Sequence, residues 1–174
     1  MQTKGGPLAK TLQHDSMNDL SFDIQTSEDF LRKLIEDYEE FKLNPLSSRI
    51  ALNCAMTSWH LSEWIFYEYN QIFAAKFSNE KLYQAHIKQL CPSLQIMHDL
   101  TNGTKHYKLK SHKPIVSESN IHNGAFSREF SREFDVSYLY LLLNDGTKLT
   151  FEDEMESVMT FWKQYFVSNF GVTV

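Results

Sequence analysis

Cysteine is scarce in this sequence of 174 residues, which contains only two cysteines, Cys54 and Cys91. Two cysteines cannot build a disulfide framework, and their separation matches no zinc-binding spacing. Cys54 lies among apolar neighbours in a helical pattern, and Cys91 directly precedes a proline. We therefore expect both to be reduced, buried or half-buried thiols of a cytosolic protein, and neither to be a catalytic nucleophile.

Long apolar runs are also missing from the sequence. No window contains the roughly 18 consecutive apolar residues that a membrane-spanning helix needs. The first residues include Lys4 but no apolar region typical of a secretory signal. The net charge of −5 argues against binding nucleic acid or anionic lipid through the surface as a whole. We expect a cytoplasmic protein with no membrane partner.

Several motifs of catalysis are absent as well. The sequence has no Gly-x-Ser-x-Gly, which argues against Ser-His-Asp catalysis, and no Gly-rich loop that would cradle a phosphate. It has no His-x-x-x-His or His-Glu-x-x-His pair, the usual helical signatures of a catalytic zinc. No single motif therefore assigns a reaction to this chain.

What the sequence does contain is apolar and aromatic material for a core. Hydrophobic residues make up 42% and aromatic residues 14%, which is typical of a folded domain and not of a disordered chain. Residues 1–19 lack hydrophobic periodicity and are expected to be a flexible leader, with a single domain over 20–174. We predict an α+β fold that is predominantly helical: a bundle of four or five helices and a small antiparallel sheet.

Local signals place the elements of this fold. Thr26 followed by acids predicts a helix start, and Pro92 predicts another. The Asp145-Gly146 pair between two β-rich runs predicts a hairpin just before the last helix, which Thr150 caps. Alternation over residues 20–25 predicts a third strand. Further helices are expected over about 46–73 and 79–90, and the residues expected in apolar contacts include Trp64, Leu82, Ile87, Leu90 and Trp162.

Polar residues recur at helical spacing in the fourth helix. Asp99, Asn102 and His106 fall at i, i+3 and i+7, hence on one face if the helix continues past Gly103 as far as Lys105 or His106. On the second helix the side chains with a common face are Asn53, Thr57, His60 and Trp64. Two adjacent antiparallel helices would place His60 opposite the Asp99 face.

Three interpretations of this polar cluster stay open. In the first, Asp99 accepts hydrogen bonds from His60 or His106 and the network only stabilises the fold, because burying such groups unpaired costs about 1–3 kcal/mol each. In the second, the site is a ribonuclease or phosphodiester-binding site with His106 as acid and base, and Asn102 and Lys105 holding the phosphate. In the third, a metal is bound by His60, His106 and either Asp99 or His98.

A basic segment follows the cluster and supports the second interpretation. Residues 105–113 carry the only concentrated positive charge in an acidic protein. The side chains predicted to bind phosphate are Lys108, Lys110 and Lys113. Lys108, Lys110 and His112 would share one face if the segment is extended.

These motifs also carry two resemblances. Trp59-His60-Leu-x-x-Trp64, then Cys91-Pro92-x-Leu, then Asp99-x-x-Asn102-x-x-Lys105-His106, then a hairpin and a helix with Phe161-Trp162, resemble a group of bacterial helical-bundle proteins that have no assigned activity. The Asn-x-x-Lys-His end is distantly similar to the helical-bundle HEPN family, many of whose members are RNases of toxin and phage-defence systems. The HEPN catalytic motif places an Arg before the His, whereas Leu100, Thr101 and Asn102 occupy those places here. The resemblance therefore implies a binding member without catalysis.

Two functional hypotheses follow from the sequence. The first is a non-enzymatic accessory or interaction protein of a bacterial stress, defence or mobile-element system, whose partner is another protein or a second copy of the chain. The second is a HEPN-like ribonuclease, or a protein that binds RNA or a nucleotide, through Asn102, Lys105 and His106. Neither hypothesis requires a cofactor or a metal.

Overall fold

The computed structural model describes residues 20–107, 112–126 and 133–173, and it has the predicted α+β architecture. The expected leader, residues 1–19, lies outside this described part. Helices make up most of it, with a small antiparallel sheet placed before the last helix. The helices are α1 (Ser27–Leu43), α2 (Ser48–Glu68), α3 (Asn70–Phe73), α4 (Glu80–Leu90), α5 (Ser93–Lys105) and α6 (Phe151–Phe170).

Side-chain caps begin α1 and α6 where the sequence predicts them. Thr26 accepts a hydrogen bond from the backbone N–H of Asp29, whose carboxylate in turn accepts from the Thr26 backbone, and this reciprocal pair closes a capping box. Thr150 likewise accepts from the Asp153 backbone N–H at 3.2 Å. Gly171, in the left-handed region at φ 70°, ends α6.

The centre of the bundle is α2, which packs against α1, α4, α5 and α6. Its long apolar surface explains this position, because buried side chains lie on several sides of the helix. It ends at Glu68, and α3 follows as a separate turn, so the predicted helix over 46–73 is broken near Tyr69. Trp162 of α6 is fully buried and donates from Nε1 to the Ser58 carbonyl oxygen of α2 at 3.1 Å, which confirms its predicted place in the core.

The strands are β1 (Val116–His122), β2 (Tyr138–Leu143) and β3 (Lys148–Thr150), paired in that order with β2 in the middle. The predicted hairpin is confirmed: β2 and β3 are joined at Asn144–Gly146, and Gly146 takes the positive φ of 87° that such turns require. Leu139 and Leu141 of β2 are buried against the helices. The sheet is thereby fixed beside α5 and α6.

The predicted strand at residues 20–25 is wrong. This segment is a turn in which Phe22 has φ 55°, and both Leu20 and Phe22 are almost fully exposed. Its alternation covers only three apolar residues, and they have no sheet on which to pack. The third strand is β1 instead, for which the sequence analysis predicts no strand. Its side chains are mostly exposed at a sheet edge, so the strand carries no apolar alternation and is held by backbone pairing with β2.

Two further predictions of core positions fail. Leu82 and Leu90 of α4 are about half exposed, and the buried face of that helix is formed by Tyr83 and Ile87. Trp64 is only half-buried and stacks on Phe30 of α1, with ring centroids 4.7 Å apart. A helix with few apolar residues leaves its inward face ambiguous to periodicity alone.

No helix within the described ranges has the length and apolar character needed to cross a membrane.

Candidate functional site

A buried carboxylate, that of Asp99, joins α5 to the start of β1. Its side chain is 1% exposed. Oδ1 accepts from Gln95 Nε2 at 2.7 Å and lies 2.6 Å from His112 Nε2. Oδ2 accepts from the backbone N–H groups of Ile115 and Val116 at 2.6 and 3.1 Å. Four partners thus surround this carboxylate, which is the arrangement that a buried negative charge requires.

His98 lies beside this carboxylate on the same helix. Its ring stacks on Trp59 of α2 with centroids 4.1 Å apart and meets the His112 ring edge-on at 4.6 Å. The buried Nδ1 atom of His98 has no hydrogen-bond partner within the described part of the chain. Burial, together with the charge of Lys88 and the His112 ring, lowers the pKa of His98 to about 4. The imidazole is therefore neutral at pH 7.

Lys88 of α4 completes the surroundings of these two residues. Its ammonium lies 5.5 Å from the centre of the Trp59 ring, a distance at which a cation is attracted to the ring face. Burial lowers the pKa of Lys88, and the negative charge of Asp99 partly offsets that effect. The side chains of His98, Asp99 and His112 are all of types that bind metal ions, and their ligand atoms lie within 4.8 Å of one another.

A second feature is an open cleft between α2 and α5, with a volume of about 510 Å³. Among the described residues, the two permanently charged side chains of its lining, those of Arg49 and Lys105, are cations. Arg49 also contacts Glu40 of α1 at 3.0 Å, outside the cleft lining. Within the described residues, the lining consists of Arg49, Leu52, Asn53, Met56, His60, Thr101, Thr104 and Lys105.

The structure brings together three of the side chains that the sequence analysis singled out. Asn53 and His60 of α2 line the cleft opposite Lys105 of α5. As predicted, α5 continues past Gly103 and ends at Lys105. Thr104 supports this last turn by donating to the carbonyl oxygens of Leu100 and Thr101.

Asp99 does not belong to this cleft, and its predicted pairing with His60 or His106 is wrong. The carboxylate is occupied by His112 and the backbone of β1, on another side of α5. His60 is exposed, and its Nδ1 lies 3.8 Å from Glu63 of its own helix. His60 and His106 are also not members of the metal-ligand cluster found in the described residues, so the predicted ligand set changes.

His106 leaves the face that the spacing assigned to it. It is the C-cap of α5, with extended backbone angles of φ −123° and ψ 116°, and its backbone N–H donates to the Asn102 carbonyl oxygen at 3.0 Å. The i+7 relation to Asp99 holds only while the chain stays helical. The His106 side chain is consequently exposed, whereas that of Asn102 is half-buried and outside the cleft lining.

The predicted common face of α2 is also divided in two. Thr57 is buried towards α1, where it donates to Asp37 at 2.7 Å and accepts from Lys33 at 2.8 Å. Residues spaced by three and four span a sector of about 60° on a helix. The boundary between the α1 and α5 contacts runs through that sector, so Asn53 and His60 reach the cleft while Thr57 does not.

Only part of the predicted basic segment, residues 105–113, lies within the described residues. Lys108 and Lys110 lie outside the described residues, and Lys113 is exposed. His112, which the sequence analysis placed on a phosphate-binding face, instead contacts Asp99. One signal could have revealed this pairing: Asp99 stands between Met97 and Leu100 on the buried stripe of α5, and an acid there needs a nearby donor.

The chain matches no family model, no curated protein and no solved structure. The resemblance of the Asn102–His106 end to the HEPN family stays a prediction, as does the resemblance of the longer pattern, which includes the Asp99–His106 segment, to the bacterial helical-bundle group. In the described structure the two ends of that segment serve different features, since Asp99 anchors β1 and Lys105 lines the cleft.

Proposed function

We propose that this protein is a non-enzymatic binding protein, an accessory component of a bacterial stress, defence or mobile-element system, which holds a phosphate group of RNA in the cleft between α2 and α5. The observation that carries this proposal is the lining of the cleft. Lys105 and Arg49 supply positive charge, and no carboxylate belongs to the lining within the described residues. In a chain with a net charge of −5, such a cleft favours an anion.

The remaining side chains of the lining suit a phosphate bound to ribose. Asn53 offers an amide donor on the α2 wall of the cleft. Thr101 and Thr104 offer hydroxyl groups on the α5 wall. The Thr hydroxyls currently donate to carbonyl oxygens of α5, and each can still accept from a ribose hydroxyl. Leu52 and Met56 provide an apolar surface for a base or sugar.

Binding without catalysis is favoured because the proposed catalytic groups do not converge. Lys105 lines the cleft, whereas His106 is exposed beyond the end of α5 and Asn102 lies outside the lining. General acid–base catalysis needs its donor within hydrogen-bonding reach of the reacting atom. The HEPN-like ribonuclease remains the alternative that the experiment below can establish.

The experiment measures binding and cleavage on the same samples. A fluorescent single-stranded RNA oligonucleotide is titrated at several salt concentrations from 50 mM upwards, its anisotropy is recorded, and the samples are then analysed on a denaturing gel. Two phosphate contacts predict a slope of log K against log salt of about −1.4, since each contact on a single strand contributes about −0.7. The RNA is expected to remain intact.

Two charge-reversal variants locate the binding. Lys105→Glu is expected to weaken binding for every RNA sequence tested and to make the salt slope shallower by about 0.7. Lys163→Glu changes the charge equally at an exposed position of α6 and is the matched control, which should bind as the unaltered protein does. Equal weakening of both variants, or no binding at 50 mM salt, would refute the proposal. RNA cleavage that is lost in Lys105→Glu would establish the ribonuclease instead.

A further inference from the structure

The cluster of His98, Asp99 and His112 is separate from the cleft and has a different chemistry. Two imidazole rings and one carboxylate meet there, and their ligand atoms all lie within 4.8 Å of one another. The three residues come from the middle of α5 and from the segment just before β1. Histidine nitrogen and carboxylate oxygen are the common non-sulfur ligands of zinc in proteins.

We propose that His98, Asp99 and His112 bind a divalent transition-metal ion of the zinc class, with Asp99 Oδ1 as the carboxylate ligand and the fourth position left to water. The ion would join the segment before β1 to α5, in place of the single contact between His112 and Asp99. This site is independent of RNA binding in the cleft.

The distances allow a tetrahedral ion after a small adjustment. Bonds of about 2.0–2.1 Å to a tetrahedral zinc place neighbouring ligand atoms about 3.4 Å apart. The Nε2 atom of His112 is 2.6 Å from Asp99 Oδ1 and has to move back by less than 1 Å. The widest separation, at most 4.8 Å, has to close by a little more. Side-chain rotations of the two histidines provide movements of this size.

The surroundings of Asp99 are those of a supported metal ligand. Its Oδ2 atom is held by two backbone N–H groups, those of Ile115 and Val116, which leaves Oδ1 directed towards His112. Gln95 also donates to Oδ1 at 2.7 Å. Outer hydrogen bonds of this kind fix the orientation of a ligating carboxylate and strengthen metal binding.

His98 distinguishes a metal site from a simple pair of Asp99 and His112. Asp99 Oδ1 and His112 Nε2 contact each other directly, so a purely structural pair needs no third residue. Yet His98 stacks against Trp59 beside the pair, and its buried Nδ1 has no hydrogen bond among the described residues. An imidazole nitrogen without a hydrogen-bond partner has a free ligand position for a metal.

The site is partly open to solvent at His112. The His112 side chain is 20% exposed, whereas that of Asp99 is 1% exposed, so an ion would enter past His112. The charge of Lys88 opposes a cation here. Asp99 supplies one negative charge against it, and Lys88 is itself attracted to the face of Trp59. Because Lys88 offsets the charge of Asp99, we expect moderate affinity, and the two imidazole ligands favour zinc over magnesium, which prefers oxygen ligands.

The experiment uses the full chain without a polyhistidine tag, freed of metal with a chelator. Zn²⁺ alone is titrated by calorimetry. Co²⁺ alone is added in a parallel sample, because its visible absorption reports the coordination geometry whereas Zn²⁺ has no visible absorption. His98→Phe keeps a ring for the stack on Trp59 but removes both nitrogens. His112→Gln keeps a donor for Asp99. The matched controls are His86→Phe and His106→Gln, two exposed histidines.

The expected result is one Zn²⁺ per chain, with a Co²⁺ spectrum of four- or five-coordinate character and a melting temperature that Zn²⁺ raises. Binding should weaken at least about tenfold in His98→Phe and in His112→Gln, and should be unchanged in both controls. Zinc binding that survives both ligand variants, or that is lost in a control, would overturn the assignment. So would a metal-free protein that shows no heat of binding although circular dichroism confirms that it is folded.

Discussion

The replacement Asp99→Asn is the sharpest test of how α5 holds the sheet. The side chain keeps its size, but its single carbonyl oxygen replaces two carboxylate oxygens that contact four groups. The new NH₂ group faces donors and cannot accept from them. The negative charge and its charge-assisted hydrogen bonds are lost, and the groups beside the NH₂ group no longer have the carboxylate oxygen as acceptor.

The expected loss of stability is large. Each buried donor left without a partner costs about 1–3 kcal/mol, and each hydrogen bond to a charged group contributes about 1.5–3 kcal/mol. Because Asp99 is almost completely buried, solvent screening reduces these energies only slightly. We expect a loss of about 3–5 kcal/mol in the free energy of unfolding. For a chain of this size that corresponds to a melting temperature lower by about 6–20 °C.

The assay is urea and thermal unfolding followed by circular dichroism, in the presence of a chelator so that no metal contributes. Asp145→Asn is the matched control, because Asp145 accepts a hydrogen bond from the Thr147 backbone N–H at the exposed hairpin tip. Asparagine is well suited to such a turn, so the control should change stability by less than about 0.5 kcal/mol. An Asp99→Asn protein that melts within about 2 °C of the unaltered protein would show that this carboxylate does not hold β1.

Three other predictions concern the core, the glycines and the thiols. Trp162→Ala should cost about 3–5 kcal/mol in urea unfolding, because the indole is fully buried, and a change below 1 kcal/mol would contradict its core position. Gly103→Ala should stabilise the protein by about 0.5–1 kcal/mol, since an added Cβ meets no atom within 4 Å. Gly146→Ala should destabilise the protein because Gly146 has a φ of 87°. Changes in unfolding free energy of the same sign for both variants would refute this. Burial raises the pKa of Cys54 to about 12 and also raises that of Cys91, so mass spectrometry should find neither alkylated at pH 8 until urea is added.

The parts of the fold that depend on neighbours in sequence were predictable. The Thr26 and Thr150 caps act within three residues of themselves, and the Asp145-Gly146 turn needs only its own backbone conformation. Such signals are complete in the sequence, so the helix starts and the hairpin are confirmed. The continuation of α5 through Gly103 belongs to the same group, because a single glycine near a helix end costs only about 1 kcal/mol.

The parts that depend on distant partners were not predictable in detail. Strand β1 is held by its pairing with β2, and its exposed polar side chains carry no pattern. Asp99 finds its partner 13 residues later, in a segment without periodicity, so helical spacing pointed to His106 instead of His112. The cleft lies where α2 and α5 meet, and the rotation of α2 within the bundle decides that Asn53 and His60 reach it.

The most direct test of RNA binding at the cleft is a map of the amide signals that move when RNA is added. An isotope-labelled sample is titrated with a short single-stranded RNA, and two-dimensional NMR spectra with assigned amides are recorded at low salt. We expect the largest shifts at Asn53, Thr101, Thr104 and Lys105, with α6 signals unchanged. Shifts that spread evenly over the surface, or that leave both walls of the cleft unaffected, would contradict RNA binding at the cleft.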